Sequence, residues 1–220
     1  MRVFLQSASM QQIREYADAG LADGVVLSPI DLADEDPSLE ITDRLAEISR
    51  ELALPVCVPV AAVLGGDIYR EGRDLARASD SAIVQIPLLE DAVNPIRRLV
   101  ADGVRVCATH VYSGAQAFLA AKLGAMMVAV SAIDLDAHGR HGEAAVEEIR
   151  SVIDRAALEC DLAVTSAPTS VAFTDYLLAG ADTAFVTPAM LGSLMVHSLT
   201  DRGVDRYLSA LSKRHKPRTL

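Results

Sequence analysis

Tryptophan is absent from this 220-residue chain, and aromatic residues make up only 4% of it. A core built without large rings is filled by aliphatic side chains. Ala, Val and Leu dominate accordingly, as in α/β proteins with Ala-rich helices and β-branched strands. Lysine is almost as scarce, with only Lys122, Lys213 and Lys216. The cysteines are Cys57, Cys107 and Cys160, an odd and widely spaced set with no secretory signal ahead of it, which predicts no disulfide framework. Their neighbours Val56, Val106 and Leu158 mark them as small buried hydrophobes rather than metal ligands. No apolar run reaches the roughly 18 residues of a membrane span. No glycine-rich phosphate fingerprint follows any strand-like segment, and Gly65-Gly66 reads as a loop. Positive charge is short as well: the net charge of −10 argues against a nucleic-acid or anionic-membrane partner. The basic run Lys213 to Arg218 is expected to be a frayed, solvated end. Together these absences predict a reduced, soluble, cytoplasmic protein with no cofactor and no metal.

What is present is an unbroken alternation of strand and helix patterns. Strands are predicted at Val3–Leu5, Gly24–Leu27, Val56–Val60, Ser81–Pro87, Val104–Thr109, Met126–Ser131, Leu162–Ser166 and Ala184–Thr187. Helical spacing marks Met10–Ala19, Leu39–Leu52, Ile68–Ala78, a helix opened by Asn94-Pro95 and ended by Gly103, Ser113–Leu123, Glu143–Glu159, Ser170–Ala179 and Asp205–Leu211. Asp31–Pro37 reads as a polar loop. Composition does not shift between the halves, so residues 1–220 are expected to form one domain, an α/β fold of the (β/α)₈ TIM-barrel type. The C-terminal helix and tail from about residue 202 have no following strand to cover and are expected to pack on a neighbouring subunit. A doubly wound open sheet is the alternative.

In such a barrel, polar residues at the C-terminal ends of strands are the expected place for chemistry. Gln85 holds that place in the fourth strand, Ser81-Ala82-Ile83-Val84-Gln85-Ile86-Pro87. Five segments together resemble the small transaldolase family, which includes fructose-6-phosphate aldolase: Phe4-Leu5-Gln6-Ser7-Ala8, Ser28-Pro29, Ile83 to Pro87, Thr109-His110-Val111-Tyr112-Ser113-Gly114-Ala115-Gln116 and Tyr176-Leu177-Leu178-Ala179-Gly180. The resemblance covers nearly the whole chain. It implies a class I aldolase-type barrel whose strand-four lysine forms a Schiff base, assembled as a homo-oligomer, pentamer or decamer, through its C-terminal helix.

Measured against that family, the chain departs at the site. Gln85 stands where the resemblance puts the Schiff-base lysine, and Gln6 where it puts the strand-one aspartate. Ser28 replaces an asparagine, Pro59 a water-positioning glutamine and Ser131 a tyrosine, while Asp134 and Val171 fall at the two phosphate-binding arginines. Thr109 and Ser166 keep the family's residues. A glutamine amide is delocalised and not nucleophilic, so Gln85 cannot form an imine. Lys122, in the helical stretch before Gly124, is expected at the opposite end of the barrel.

The expected pocket is therefore Gln6, Ser28, Gln85, Thr109, Ser131 and Ser166, with Asp134 at a ligand-binding position. Such a lining suits a small polar or sugar-like molecule. His110 is either a proton shuttle or a packed or capping histidine, because alternation from an inward Thr109 turns it away from the axis. Asp134, Asp136, His138 and His141 carry metal-binding residue types, with a polar surface loop as the plain reading. Arg140 reads as solvated, Cys107 as core, and Tyr112 and Gln116 as structural. Three functions follow. The first is a transaldolase-like barrel without Schiff-base chemistry, non-catalytic or binding a small neutral compound. The second is a diverged lyase or isomerase working non-covalently on a non-phosphorylated carbonyl or polyol. The third is the aldolase or transaldolase activity that the resemblance implies.

Overall fold

A computed structural model describes residues 1–214. Its eight strands are β1 (Arg2–Gln6), β2 (Gly24–Val26), β3 (Val56–Pro59), β4 (Ala82–Pro87), β5 (Val106–Thr109), β6 (Met127–Ser131), β7 (Asp161–Thr165) and β8 (Thr183–Val186). Each pairs in parallel with the next and β8 returns to β1, giving a closed barrel. The helices are α1 (Met10–Asp18), α2 (Pro29–Glu35), α3 (Ile41–Leu52), α4 (Gly65–Ala78), α5 (Val93–Ala101), α6 (Gly114–Lys122), α7 (Ala132–Ala137), α8 (Gly142–Arg155), α9 (Ser170–Leu178), α10 (Pro188–Ser193) and α11 (Ser198–Arg214). This is a single (β/α)₈ barrel, as the alternation predicts.

Period-two alternation divides the strand side chains into two cores. Outward residues such as Leu5, Val25, Val84 and Val106 pack under the helices on one side, and Val128, Val130, Leu162 and Val164 on the other. Inward residues Phe4, Val26, Cys57, Ile83, Cys107, Met127, Ala129, Ala163 and Phe185 fill the barrel itself. Phe4 and Phe185, opposite each other in the β1–β8 register, stack with ring centroids 5.9 Å apart. On the other side Phe4 pairs with Gly24, where a Cβ would stand 2.7 Å from the ring. Only glycine leaves room for that ring. Burial also silences the thiols: it pushes Cys57 up to about 12 and Cys107 well above the ordinary range.

The strand-to-helix junctions correct several boundaries. Asp31–Pro37 is not a loop, because Ser28 caps α2 by accepting from the Asp31 backbone amide and Pro29 takes its first turn. Gly65-Gly66 opens α4 rather than a loop, and a 3₁₀ turn at Glu90–Ala92 precedes α5, which begins at Val93 rather than Asn94. Ala132–Ala137 is helical, so the segment after β6 is not a plain surface loop. Strand β7 ends at Thr165 rather than Ser166, and β8 at Val186, leaving Thr187 to cap α10. The last helix starts at Ser198, well before Asp205, and stays exposed along most of its length. The end of the basic run, from His215, lies outside the described residues.

Substituting Gly24→Ala should destabilise the fold by about 1–3 kcal/mol through displacement of the Phe4 ring. Urea denaturation reads this. A loss below about 0.5 kcal/mol would mean that the ring yields without cost.

Candidate functional site

Above the aliphatic layer the same inward positions turn polar. Two residues on from Phe4, Val26, Ile83, Cys107, Ala129 and Ala163 come Gln6, Ser28, Gln85, Thr109, Ser131 and Thr165, and all six line a cavity of about 590 Å³. Pro59 supplies the β3 position. The cavity opens at the C-terminal strand ends, over a floor that includes Phe185 and Ala129. Gln85 is only 8% exposed, and its side-chain amide makes no hydrogen bond among the described residues. It is therefore a donor and acceptor aimed into the pocket and left for a ligand or water.

One wall is organised by Asp31, which lies in α2 where the sequence pattern predicts a loop. Its Oδ2 accepts from Ser28 Oγ at 2.6 Å and from Gln6 Nε2 at 3.2 Å, while its own amide donates to Ser28 Oγ at 3.1 Å. This turns the Gln6 amide nitrogen toward Asp31. The cue was the Ser28-Pro29 dipeptide, a helix opening that places a third-position carboxylate beside its cap.

The opposite wall comes from the turn after β5 and from α7. His110 and Ser166 leave their strands with φ of 56° and 60°. This left-handed backbone interrupts alternation, and both side chains line the cavity. His110 is thus not turned away from the axis: its Nδ1 lies 3.1 Å from Thr109 Oγ1. Tyr112 also reaches the pocket and donates its hydroxyl to Asp134 Oδ2 at 3.2 Å. Burial first, then the Asp134 charge and hydrogen bond, push the Tyr112 phenol above its ordinary pKa.

Other expectations resolve locally. Arg140 is half-exposed but braced, since it donates to the Tyr112 carbonyl at 2.9 Å and pairs with Glu148, which accepts from Gly114 N at 2.9 Å. Asp136 Oδ1 accepts from Gly142 N at 2.8 Å, and His138 Nδ1 sits 2.6 Å from the Asp134 carbonyl. Among the described residues, no three His, Cys, Asp or Glu side chains group to hold a metal. Val171 is exposed on α9, outside the pocket lining. Lys122 is exposed at the end of α6, with Nζ 5.6 Å from the Phe118 ring centroid, at the opposite end of the barrel. Thr165 and Tyr112 are lining residues that the sequence reading missed. Counting inward positions from Ala163 gives the first, while the second depends on the turn geometry.

A closed parallel barrel with a polar pocket at its C-terminal strand ends is the architecture of (β/α)₈ enzymes. The chain belongs to the transaldolase/fructose-6-phosphate aldolase family, whose model matches residues 36–217. A protein of Parvibaculum lavamentivorans named "Probable transaldolase" is 34% identical over 215 residues, spanning 97% of each chain. One of the same name from Bartonella tribocorum is 33% identical over 214 residues, again 97% of each. The solved thiamine phosphate pyrophosphorylase of Pyrococcus furiosus shares the fold, with a TM-score of 0.57 at 19% identity over 88% of this chain and 89% of that one. No helix among the described residues is long and apolar enough to cross a membrane.

The Tyr112–Asp134 pair predicts a titration. Because folding raises the phenol's pKa, its stabilising share is complete below the ordinary value of about 10 and is lost as pH rises through the folded value. Asp134→Asn should lower that pKa only part of the way, since burial is the larger cause. Ultraviolet titration of phenolate, with Tyr112→Phe subtracted, measures it. An unchanged pKa would mean that the carboxylate does not face the phenol.

Proposed function

We propose that this barrel binds a small sugar-like hydroxycarbonyl or polyol in its strand-end pocket and handles it without an imine at position 85. The observation that carries this reading is the Gln85 amide, nine-tenths buried and unpartnered at the pocket floor. Its nitrogen lone pair is delocalised into the carbonyl, so it donates and accepts hydrogen bonds but does not attack carbon. Gln6 and Ser28, held by Asp31, and Thr109, Ser131, Thr165 and Ser166 around the rim offer matching partners for hydroxyls. Family membership supports carbohydrate chemistry over a barrel without a ligand.

A second reading has its own observation. His110 lines the cavity within reach of Thr109, which makes it the group suited to moving a proton on a bound hydroxycarbonyl in a non-covalent lyase or isomerase. Family membership weighs equally for the aldolase or transaldolase activity of its namesakes, which here would need an amine from outside the pocket lining. The exposed apolar residues of α11, Leu199, Val204, Tyr207, Leu208 and Leu211, support a homo-oligomer covering that helix. A monomer by light scattering at micromolar concentration would count against it.

Borohydride reduction with dihydroxyacetone, hydroxyacetone or fructose 6-phosphate, followed by intact-mass spectrometry, tests the central claim. The wild-type chain should carry no adduct, and Gln85→Lys should trap weakly with hardly any turnover, because the remaining groups of the site do not supply its acid–base partners. A wild-type adduct would return the family's own chemistry to first place. In a thermal-shift screen, a true polyol ligand at 100 times its Kd stabilises by about 2.7 kcal/mol. Turnover that His110→Ala abolishes selects the second reading; the absence of any shift and any turnover defeats both.

A further inference from the structure

We infer that the preferred ligand of this pocket carries a positive charge: a small polyhydroxylated amine, of the amino-sugar class, bound ahead of the matching neutral sugar and far ahead of a phosphorylated one. The inference rests on the sugar-like reading above and names the substrate class within it.

The charges around the cavity carry it. Among the described residues, no lysine or arginine side chain lines the pocket, and His110 is the one basic side chain there. Asp134 stands on one rim with Oδ2 accepting from Tyr112, and its Oδ1 has no side-chain donor among the described residues. Across the cavity, the Asp31 carboxylate lies directly behind Ser28 and Gln6. Gln6 also lines an adjoining cleft of about 380 Å³ that holds Asp34 and Glu35.

One carboxylate therefore stands at the rim and a second backs the opposite wall, in a chain of net charge −10. A phosphate entering such a mouth loses water and meets like charge without the clustered N–H donors that would replace its solvation. An ammonium group meets the reverse, a carboxylate rim with an open oxygen and a field that draws cations inward. The second, independent feature is Gln85. Buried and unpartnered, it anchors the hydroxyl or carbonyl end of the same molecule at the floor while the amine faces Asp134. No bond is made or broken in this step.

Calorimetric titration of the full chain at low salt with glucosamine, glucose and glucose 6-phosphate tests it, alongside the three-carbon series serinol, glycerol and glycerol 3-phosphate. In at least one series the amine should bind roughly fivefold tighter than the neutral compound, the worth of one partly exposed ion pair, and the phosphate should not bind measurably. Added salt should shrink that preference. Asp134→Asn should bring amine and neutral compound to parity, and Asp134→Lys should reverse the order in favour of phosphate. Glu15→Gln, exposed on α1, controls for net charge alone and should leave the preference intact. If the neutral compounds bind and the amines gain nothing, or if Asp134→Asn keeps the preference, this inference falls while the sugar-binding reading stands. If the phosphates bind best to the wild-type chain, the inference is reversed. If no compound of either series binds, both readings fall together.

Discussion

Everything above the midline of this barrel depends on the plug beneath it. The stacked rings of Phe4 and Phe185, seated over Gly24, and the aliphatic layer around them make the barrel solid where its strands begin. A (β/α)₈ sheet closed on a packed interior has room for a ligand only where that packing stops. Here it stops one residue pair short of the strand ends. The polar ring from Gln6 to Thr165 is thereby given an apolar floor that includes Phe185 and Ala129.

That geometry explains why the residue at position 85 matters so much. A side chain there is nearly sealed from solvent, so an amine would be kept unprotonated by desolvation, the state a Schiff base needs. The same seal makes an amide without a partner costly to bury, so an unused one is conspicuous. Gln85 has Pro59 and Cys107 as its register neighbours on β3 and β5. Neither can complete the amide's hydrogen bonds with its side chain as placed here. The amide's natural partner is whatever enters from above.

The sequence reveals the barrel because alternation and burial are local: Ile83, Val84 and Gln85 already declare a strand whose inward parity ends in an amide. Gln6, Ser28, Thr109 and Ser131 continue that parity and line the cavity. What the sequence misreads are the junctions. His110 and Ser166 take backbone conformations in which parity no longer holds, and nothing in their residue types announces it. Tyr112 joins the site through Asp134 on a separate segment, which no local pattern contains, whereas Asp31 follows from the helix opening at Ser28-Pro29. Thr165 was legible from the parity of Ala163, but the strand end read one residue too far hid it behind Ser166, which lines the cavity as well.

One brace outside the pocket bears on how a ligand would arrive. Arg140 ties the turn after β5 to α8 through the Tyr112 carbonyl and Glu148, and Glu148 in turn holds the first amide of α6. Turn, helix start and rim carboxylate therefore belong to one clamped unit rather than to a hinged flap. For a mouth braced in this way, the encounter rate should follow diffusion and long-range charge, and residence time the quality of the contacts.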